Sequence, residues 1–254
     1  MRLDELLILL LSVCFWIGVP SFIYFRLKML KERKFPRYSK RRVLKVTLVN
    51  LAINIGILVF FAAILGSLLL SAQQLDSTDL LFTLLFLITM GLIFYGYGLY
   101  IAAIVLESYT LPALRNAKAF KIQFIATHLF HGIISHVLIY SGYFIVLLML
   151  SLLEMSTGQG TSLPSSFFLS TGAVSGTMYA GIQVFNGTMP YQFVTAAVVL
   201  ACLLLYADSS NEALFAFSLS SYLLAFLLSF LFIEALYFLV KGRKKARLWD
   251  WSGY

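Results

Sequence analysis

The sequence predicts an all-α integral membrane protein, a polytopic bundle of about seven transmembrane helices. Hydrophobic residues make up 61% of the 254 residues and charged residues only 12%. Soluble proteins average roughly 45–50% apolar and about 25% charged residues. The apolar residues also form long stretches separated by short polar segments, and about 20 apolar residues are enough for one helix to cross a bilayer.

Positive charge predicts how these helices are oriented. Of the 19 Lys and Arg residues, all but Arg2 lie in three short clusters, within residues 26–45, 115–121 and 241–247. Other segments between apolar stretches carry acids instead, among them Glu154. Because Lys and Arg in short loops mark the cytoplasmic side of a membrane, the clusters predict an outside N-terminus and a cytoplasmic C-terminus.

The whole chain, residues 1–254, is predicted to form a single transmembrane domain. The predicted spans cover residues 6–25, 46–70, 80–106, 122–153, 167–185, 190–206 and 213–240. The fourth would measure about 48 Å at ~1.5 Å per residue, so it must tilt or begin at the membrane surface.

The fifth stretch, residues 167–185, is apolar but rich in Gly, Ser and Thr. If it crosses, all three basic clusters fall on one side of the membrane, and this favours seven spans over six. The alternative is a segment that re-enters or lies on the surface. Gly172, Gly176 and Ala180 recur at four-residue spacing, a pattern typical of helices that pack closely inside a bundle or across a dimer.

Polar residues inside the spans predict one layer in the cytoplasmic half. Counted inward from the nearest basic residue, His128 and Glu234 lie about 10 Å deep and His131 about 15 Å deep. Asn50 and Asn54 lie about 8 and 14 Å deep on one face of the second span. An ionisable residue within a membrane is costly and commonly functional. We therefore expect Glu234 to meet His128 or His131, in a polar pocket or in a network that fixes packing. The alternative is an unpaired, protonated Glu234 near the lipid interface.

A metal site of His128, His131 and Glu234 stays open, although one helix supplies both histidines and their spacing differs from that of the H-E-x-x-H zinc motif. No cofactor-binding motif is evident, and the chain lacks a Walker A or dinucleotide fingerprint. The cofactor is therefore unknown.

Three functional hypotheses follow. The first is a permease-like or transport-associated protein of the plasma membrane, or of the inner membrane in a prokaryote. The second is a membrane-embedded enzyme that acts on a lipid-like substrate through His128, His131 and Glu234. The third is a non-catalytic membrane subunit or assembly factor. The basic loops are expected to contact anionic lipid head groups and not nucleic acid, and a membrane-protein partner or a homo-oligomer stays open.

Overall fold

The computed structural model describes residues 2–31, 40–72, 74–109, 126–127, 129–186 and 188–241. The described chain is helical and contains no strand, so the all-α prediction is confirmed over these residues. The long helices are α1 (Leu3–Lys31), α2 (Lys40–Ser71), α3 (Ser77–Tyr109), α4 (Ser135–Ser156), α5 (Ser165–Asn186), α6 (Met189–Ser210) and α7 (Ser218–Lys241).

Two short turns differ in kind from these helices. A π-helical turn, Leu129–Ile134, leads into α4, and a 3-10 turn, Leu214–Ala216, precedes α7. The predicted fourth span therefore contains a change of helix type, while its residues 122–125 lie outside the described part. The last predicted span began at Ala213, but the regular helix begins at Ser218 because the 3-10 turn intervenes.

Four helical segments are long and apolar enough to cross a membrane, counted over the described residues: Ser77–Ala103, Ser135–Ser156, Met189–Ser210 and Ser218–Val240. Their outward faces are apolar as well. Leu87 on α3, Val194 on α6 and Phe232 on α7 are 56%, 62% and 67% exposed. Extended apolar surface of this kind suits contact with lipid and not with water.

Side-chain contacts establish that one end of the bundle gathers four helix termini. Arg2, which precedes α1, contacts Glu154 near the end of α4. Glu154 in turn binds Ser218 at the start of α7, and Ser156 donates to Asp79 in the first turn of α3. We call this the N-terminal end, and the opposite end, where α1 and α7 finish at Lys31 and Lys241, the basic end.

Helices α5 and α7 run parallel and touch through their backbones. A Cβ added at Gly172 would collide with the carbonyl oxygen of Tyr222, and one at Gly176 with that of Phe226. Ala180, one turn further along, is fully buried. The prediction that these small residues form a packing seam inside the bundle is confirmed, since only residues without a large side chain allow two backbones to approach so closely.

Helices α3 and α4 form a second close pair, this one antiparallel. A Cβ at Gly142 would collide with Ile93, and one at Gly96 would lie 2.9 Å from the Cβ of Leu138. The two pairs, α3 with α4 and α5 with α7, account for much of the buried core. Aromatic rings connect them, because Phe144 of α4 lies 5.0 Å from Phe230 of α7, measured between ring centroids.

The seam can be tested with a single methyl group. Gly176→Ala is expected to destabilise the protein by about 1–3 kcal/mol, because the methyl group would overpack the contact with α7. Gly181, in the same helix, has nothing within 4 Å of an added Cβ. Gly181→Ala is therefore the matched control and should be neutral or stabilising, since Ala favours helix more than Gly does. Thermal unfolding in detergent measures both, and equal midpoints for the two variants would refute the seam.

Candidate functional site

Polar side chains cluster in the interior at both ends of the bundle, and the two clusters differ in how fully their hydrogen bonds are satisfied. The first lies at the N-terminal end around Arg2. Its guanidinium Nη2 lies 2.6 Å from Asp4 Oδ2 and 2.9 Å from Glu154 Oε1. Its Nη1 donates to the carbonyl oxygens of Gln159 and Gly160 in the loop after α4. One side chain thus connects the start of α1 with the end of α4.

Glu154 is fully buried and caps the last helix from outside it. Its Oε1 accepts hydrogen bonds from Ser218 N at 3.1 Å and Ser218 Oγ at 2.5 Å, and its Oε2 accepts one from Leu219 N at 2.8 Å. The first N–H groups of a helix have no partner within it, and negative charge is favourable at that terminus. Glu154 therefore satisfies the start of α7 and the charge of Arg2 together.

Glu5 holds the same loop from α1. Its Oε1 accepts from Ser162 N at 2.6 Å and from Thr161 Oγ1 at 3.1 Å, and its Oε2 accepts from Ser162 Oγ and from Arg2 N. Burial raises the pKa of the Glu5 carboxyl, but the hydrogen bonds from Ser162, Arg2 and Thr161 outweigh it and bring the pKa to about 2. The carboxylate is thus held in its charged form.

Sequence reasoning missed this N-terminal cluster, because it treated Glu154 only as a marker of the outer side. Two signals were available. Arg2 is the one basic residue outside the three clusters, and Glu154 follows a long apolar run. Because the carboxylates of Glu5 and Glu154 and the guanidinium of Arg2 are all bonded within the cluster, it has the character of a structural clamp.

The second cluster lies near the basic end and centres on Glu234 of α7. Glu234 is fully buried, about 10 Å from the end of the helix at Lys241 at ~1.5 Å per residue. Neither carboxyl oxygen has a hydrogen-bond partner within the described part of the chain. A buried carboxyl group in this situation is most stable in its neutral, protonated form, because an isolated charge in an apolar surrounding is far more costly.

Two buried glutamines accompany Glu234, at the turn between α5 and α6. Gln183 Oε1 accepts from Thr188 Oγ1 at 2.5 Å, and Gln192 Oε1 accepts from Ser141 Oγ at 3.3 Å. The amide nitrogen of each glutamine has no partner among the described residues. Neither glutamine belongs to the polar layer that the sequence predicts.

The parallel seam aligns Gln183 with Glu234. Tyr179 of α5 lies 5.5 Å from Phe226 and 5.8 Å from Phe230 of α7, measured between ring centroids. One turn further along each helix, at i+4, stand Gln183 and Glu234. Residues four apart share a helix face, so these two occupy the next level of the same contact.

The other predicted site residues fall largely outside the description. His128 lies outside the described residues. His131 belongs to the π-helical turn, and Asn50 and Asn54 belong to α2, but the positions of their three side chains lie outside the description. The predicted pairing of Glu234 with His128 or His131 therefore stays a prediction.

The third histidine, His136, belongs to an aromatic cluster. Its ring lies 5.6 Å from that of Tyr100 and 5.3 Å from that of Tyr140, measured between centroids. In the part of the chain that the structure describes, no three His, Cys, Asp or Glu side chains converge as metal ligands. The predicted ligand set of His128, His131 and Glu234 falls partly outside those residues, so the metal site stays a prediction.

Removal of the Glu154 carboxylate should destabilise the fold. Glu154→Gln would leave Arg2 with Asp4 but without the counter-charge of Glu154, and α7 with a weaker cap, at an expected cost of about 2–3 kcal/mol. Glu212→Gln, which changes an exposed acid of the loop before α7, is the control and should leave the thermal midpoint in detergent unchanged. Equal midpoints for the two variants would mean that the clamp contributes nothing.

The clamp should also weaken in acid through Glu5. Its pKa lies near 2 in the folded protein against an ordinary value of 4.5. The stability it contributes is therefore complete above about pH 4.5 and is lost as the pH falls towards 2. Between about pH 5 and pH 3 the unfolding temperature should fall less in Glu5→Gln than in the native protein. An identical pH dependence in both would contradict this role.

The two clusters thus suit different tasks. The N-terminal clamp has its charged groups hydrogen-bonded within the cluster, while the basic-end site has the carboxyl group of Glu234 and the amide nitrogen of Gln183 without partners among the described residues and available to a proton, a water molecule or a small polar ligand. Comparison with protein-family models, with curated proteins and with solved structures finds no match to this chain.

Proposed function

We propose that the chain crosses the membrane seven times, with its N-terminal end outside and its basic end in the cytoplasm. Four apolar helical segments support the membrane assignment. Helix α5, Ser165–Asn186, has 22 residues, as α4 and α6 do, and its parallel contact with α7 requires α6 to return between them. Orientation is inferred from the Lys and Arg clusters in the sequence. A plasma membrane, or the inner membrane of a prokaryote, is the proposed location.

Cysteine labelling tests this orientation. Gln74→Cys and Ser209→Cys change exposed residues at the N-terminal end and should react with a membrane-impermeant thiol reagent added to intact cells. Ser39→Cys, within the first basic cluster, should react only after the membrane is opened. The variants are made in a background without Cys14 and Cys202. Labelling of Ser39→Cys from outside would refute the orientation.

The proposed function is that of a permease-like, transport-associated protein whose ligand site is built around Glu234. One observation carries the proposal: a fully buried carboxyl group without a hydrogen-bond partner among the described residues. A fold has no packing need for such a group, whereas proton relays and substrate sites in membranes use intramembrane acids. The clamp at the opposite end of the bundle differs from this site, because each of its carboxylates accepts several hydrogen bonds.

A cluster of packed aromatic rings favours a second candidate function. Phe144, Tyr179, Phe226 and Phe230 pack edge to face or tilted against one another, on the N-terminal side of Glu234. In this state no polar path is evident across the described core. A non-catalytic membrane subunit or assembly factor, whose polar layer is purely structural, would need none. The enzyme hypothesis depends on His128 and His131 and stays a prediction.

A hydrophobic carbodiimide tests the site, because this reagent modifies protonated carboxyl groups in apolar surroundings. Glu234 should be labelled at neutral pH, and Glu234→Gln should remove the modification from the α7 peptide in mass spectrometry. Glu154→Gln is the matched control: it changes the other buried glutamate and should leave labelling of Glu234 intact. An unmodified Glu234 in the folded native protein would refute the proposed site and favour the non-catalytic subunit.

A further inference from the structure

We infer that Gln183 is the partner of Glu234, and that the two side chains hold one water-sized donor–acceptor species between them across the seam of α5 and α7. This inference rests on the proposed function, because it names the second wall of the same site. This arrangement does not require any hydrogen bond among the described residues to break. It assigns a binding role to a residue outside the polar layer that the sequence predicts.

The positions of Gln183 and Glu234 follow from the contact between α5 and α7. Gly172, Gly176 and Tyr179 precede Gln183 on the face of α5 that meets α7. On α7, Phe226 and Phe230 precede Glu234 on the facing side, at spacings of four residues. Each Gly contact joins residues that are 50 positions apart in the chain, and the same separation places Gln183 opposite Ile233. Glu234 follows at nearly the same level, about 100° further around α7 on the side of Phe230.

The polar atoms of Gln183 and Glu234 are only partly hydrogen-bonded among the described residues. Both side chains are fully buried, yet the amide nitrogen of Gln183 and both oxygens of Glu234 have no hydrogen-bond partner among the described residues. The opposite end of the Gln183 amide is fixed by Thr188 at 2.5 Å. The Gln183 side chain is therefore held at its carbonyl oxygen and unsatisfied at its amide nitrogen.

A single bridging molecule can satisfy the hydrogen-bonding groups of both side chains. A buried carboxyl group and a buried amide that face each other without touching are typically bridged by water. The bridging species must accept a hydrogen bond from the amide and exchange one with the carboxyl group, as water does and as its protonated form can in part. Gln183 is then a positioning residue: it holds this species and stabilises the charged state of Glu234 when the proton leaves.

Gln192 serves as the internal comparison. It is as deeply buried as Gln183 and also has an unsatisfied amide nitrogen. Its carbonyl oxygen, however, accepts from Ser141 of α4, so it belongs to the contact of α6 with α4. It therefore offers a matched substitution at equal burial on a different helix pair.

Other titratable groups also face this region. Tyr179 of α5 lies near enough to Glu234 for an electrostatic interaction. Tyr140 of α4 contacts Tyr179, with 5.9 Å between ring centroids, and His136 contacts Tyr140. Tyr191 stands in the first turn of α6 and Tyr237 on α7 itself. These groups are the same in every variant compared, so a difference between variants at one pH reports on the substituted residue.

The test is the pH dependence of carbodiimide labelling at Glu234 in purified, folded protein. Gln183→Met keeps the length of the side chain but removes its hydrogen bonds. We expect the pH of half-maximal labelling to rise by about one unit, because the charged carboxylate loses a donor. Gln192→Met should leave that pH unchanged. A second variant, Gln183→Glu, places another carboxyl group at the seam and should raise the same pH, because two like charges cannot both form at short range.

The possible outcomes distinguish failure of the role of Gln183 from failure of the proposed function of Glu234. If Glu234 is not labelled in the native protein, the proposed function fails. If Glu234 is labelled but neither Gln183 variant moves the pH of half-maximal labelling, or if Gln192→Met moves it equally, only the role of Gln183 is overturned. Should Gln183→Met fail to fold, Gln183→Glu decides the question alone, read on the separate peptide that contains Glu234.

Discussion

The close backbone contact of α5 with α7 is the constraint on which the rest of the structure depends. Gly172 and Gly176 leave no room for a side chain against the carbonyl oxygens of Tyr222 and Phe226, so the two helices can pack in only a narrow range of registers. Because they run parallel, α6 must return between them. The same register places Gln183 at the level of Glu234, near the basic end.

The two ends of the bundle illustrate opposite uses of buried charge. At the N-terminal end, Glu154 accepts four hydrogen bonds, from Arg2, Ser218 and Leu219, and an arrangement so complete rigidifies the helices that it joins. At the basic end, Glu234 is equally buried and has no such partners among the described residues. The first arrangement stabilises a fold, while the second is costly to a fold and useful to a site that takes up and releases a proton.

The sequence predicted the helices well and the site only in part. Long apolar stretches identified the long helices, although α4 begins at Ser135 and not near residue 122. The four-residue spacing from Gly172 to Ala180 identified the seam, and both signals are local. Depth counting identified Glu234 for the same reason. Gln183 and the clamp of Arg2 with Glu154 were missed because they depend on which helices are neighbours. Residues 152 positions apart meet only through the tertiary arrangement, which no local spacing encodes.

Disulfide formation across the seam tests the parallel register of α5 and α7. In a background without Cys14 and Cys202, the pair Gln183→Cys and Ile233→Cys should cross-link under mild oxidation, because the register of the Gly172 and Gly176 contacts places these two positions opposite each other. The pair Gln183→Cys and Phe232→Cys should not, because Phe232 is 67% exposed on the outer face of α7. Efficient cross-linking of the second pair, or none of the first in folded protein, would contradict the parallel register and the site built on it.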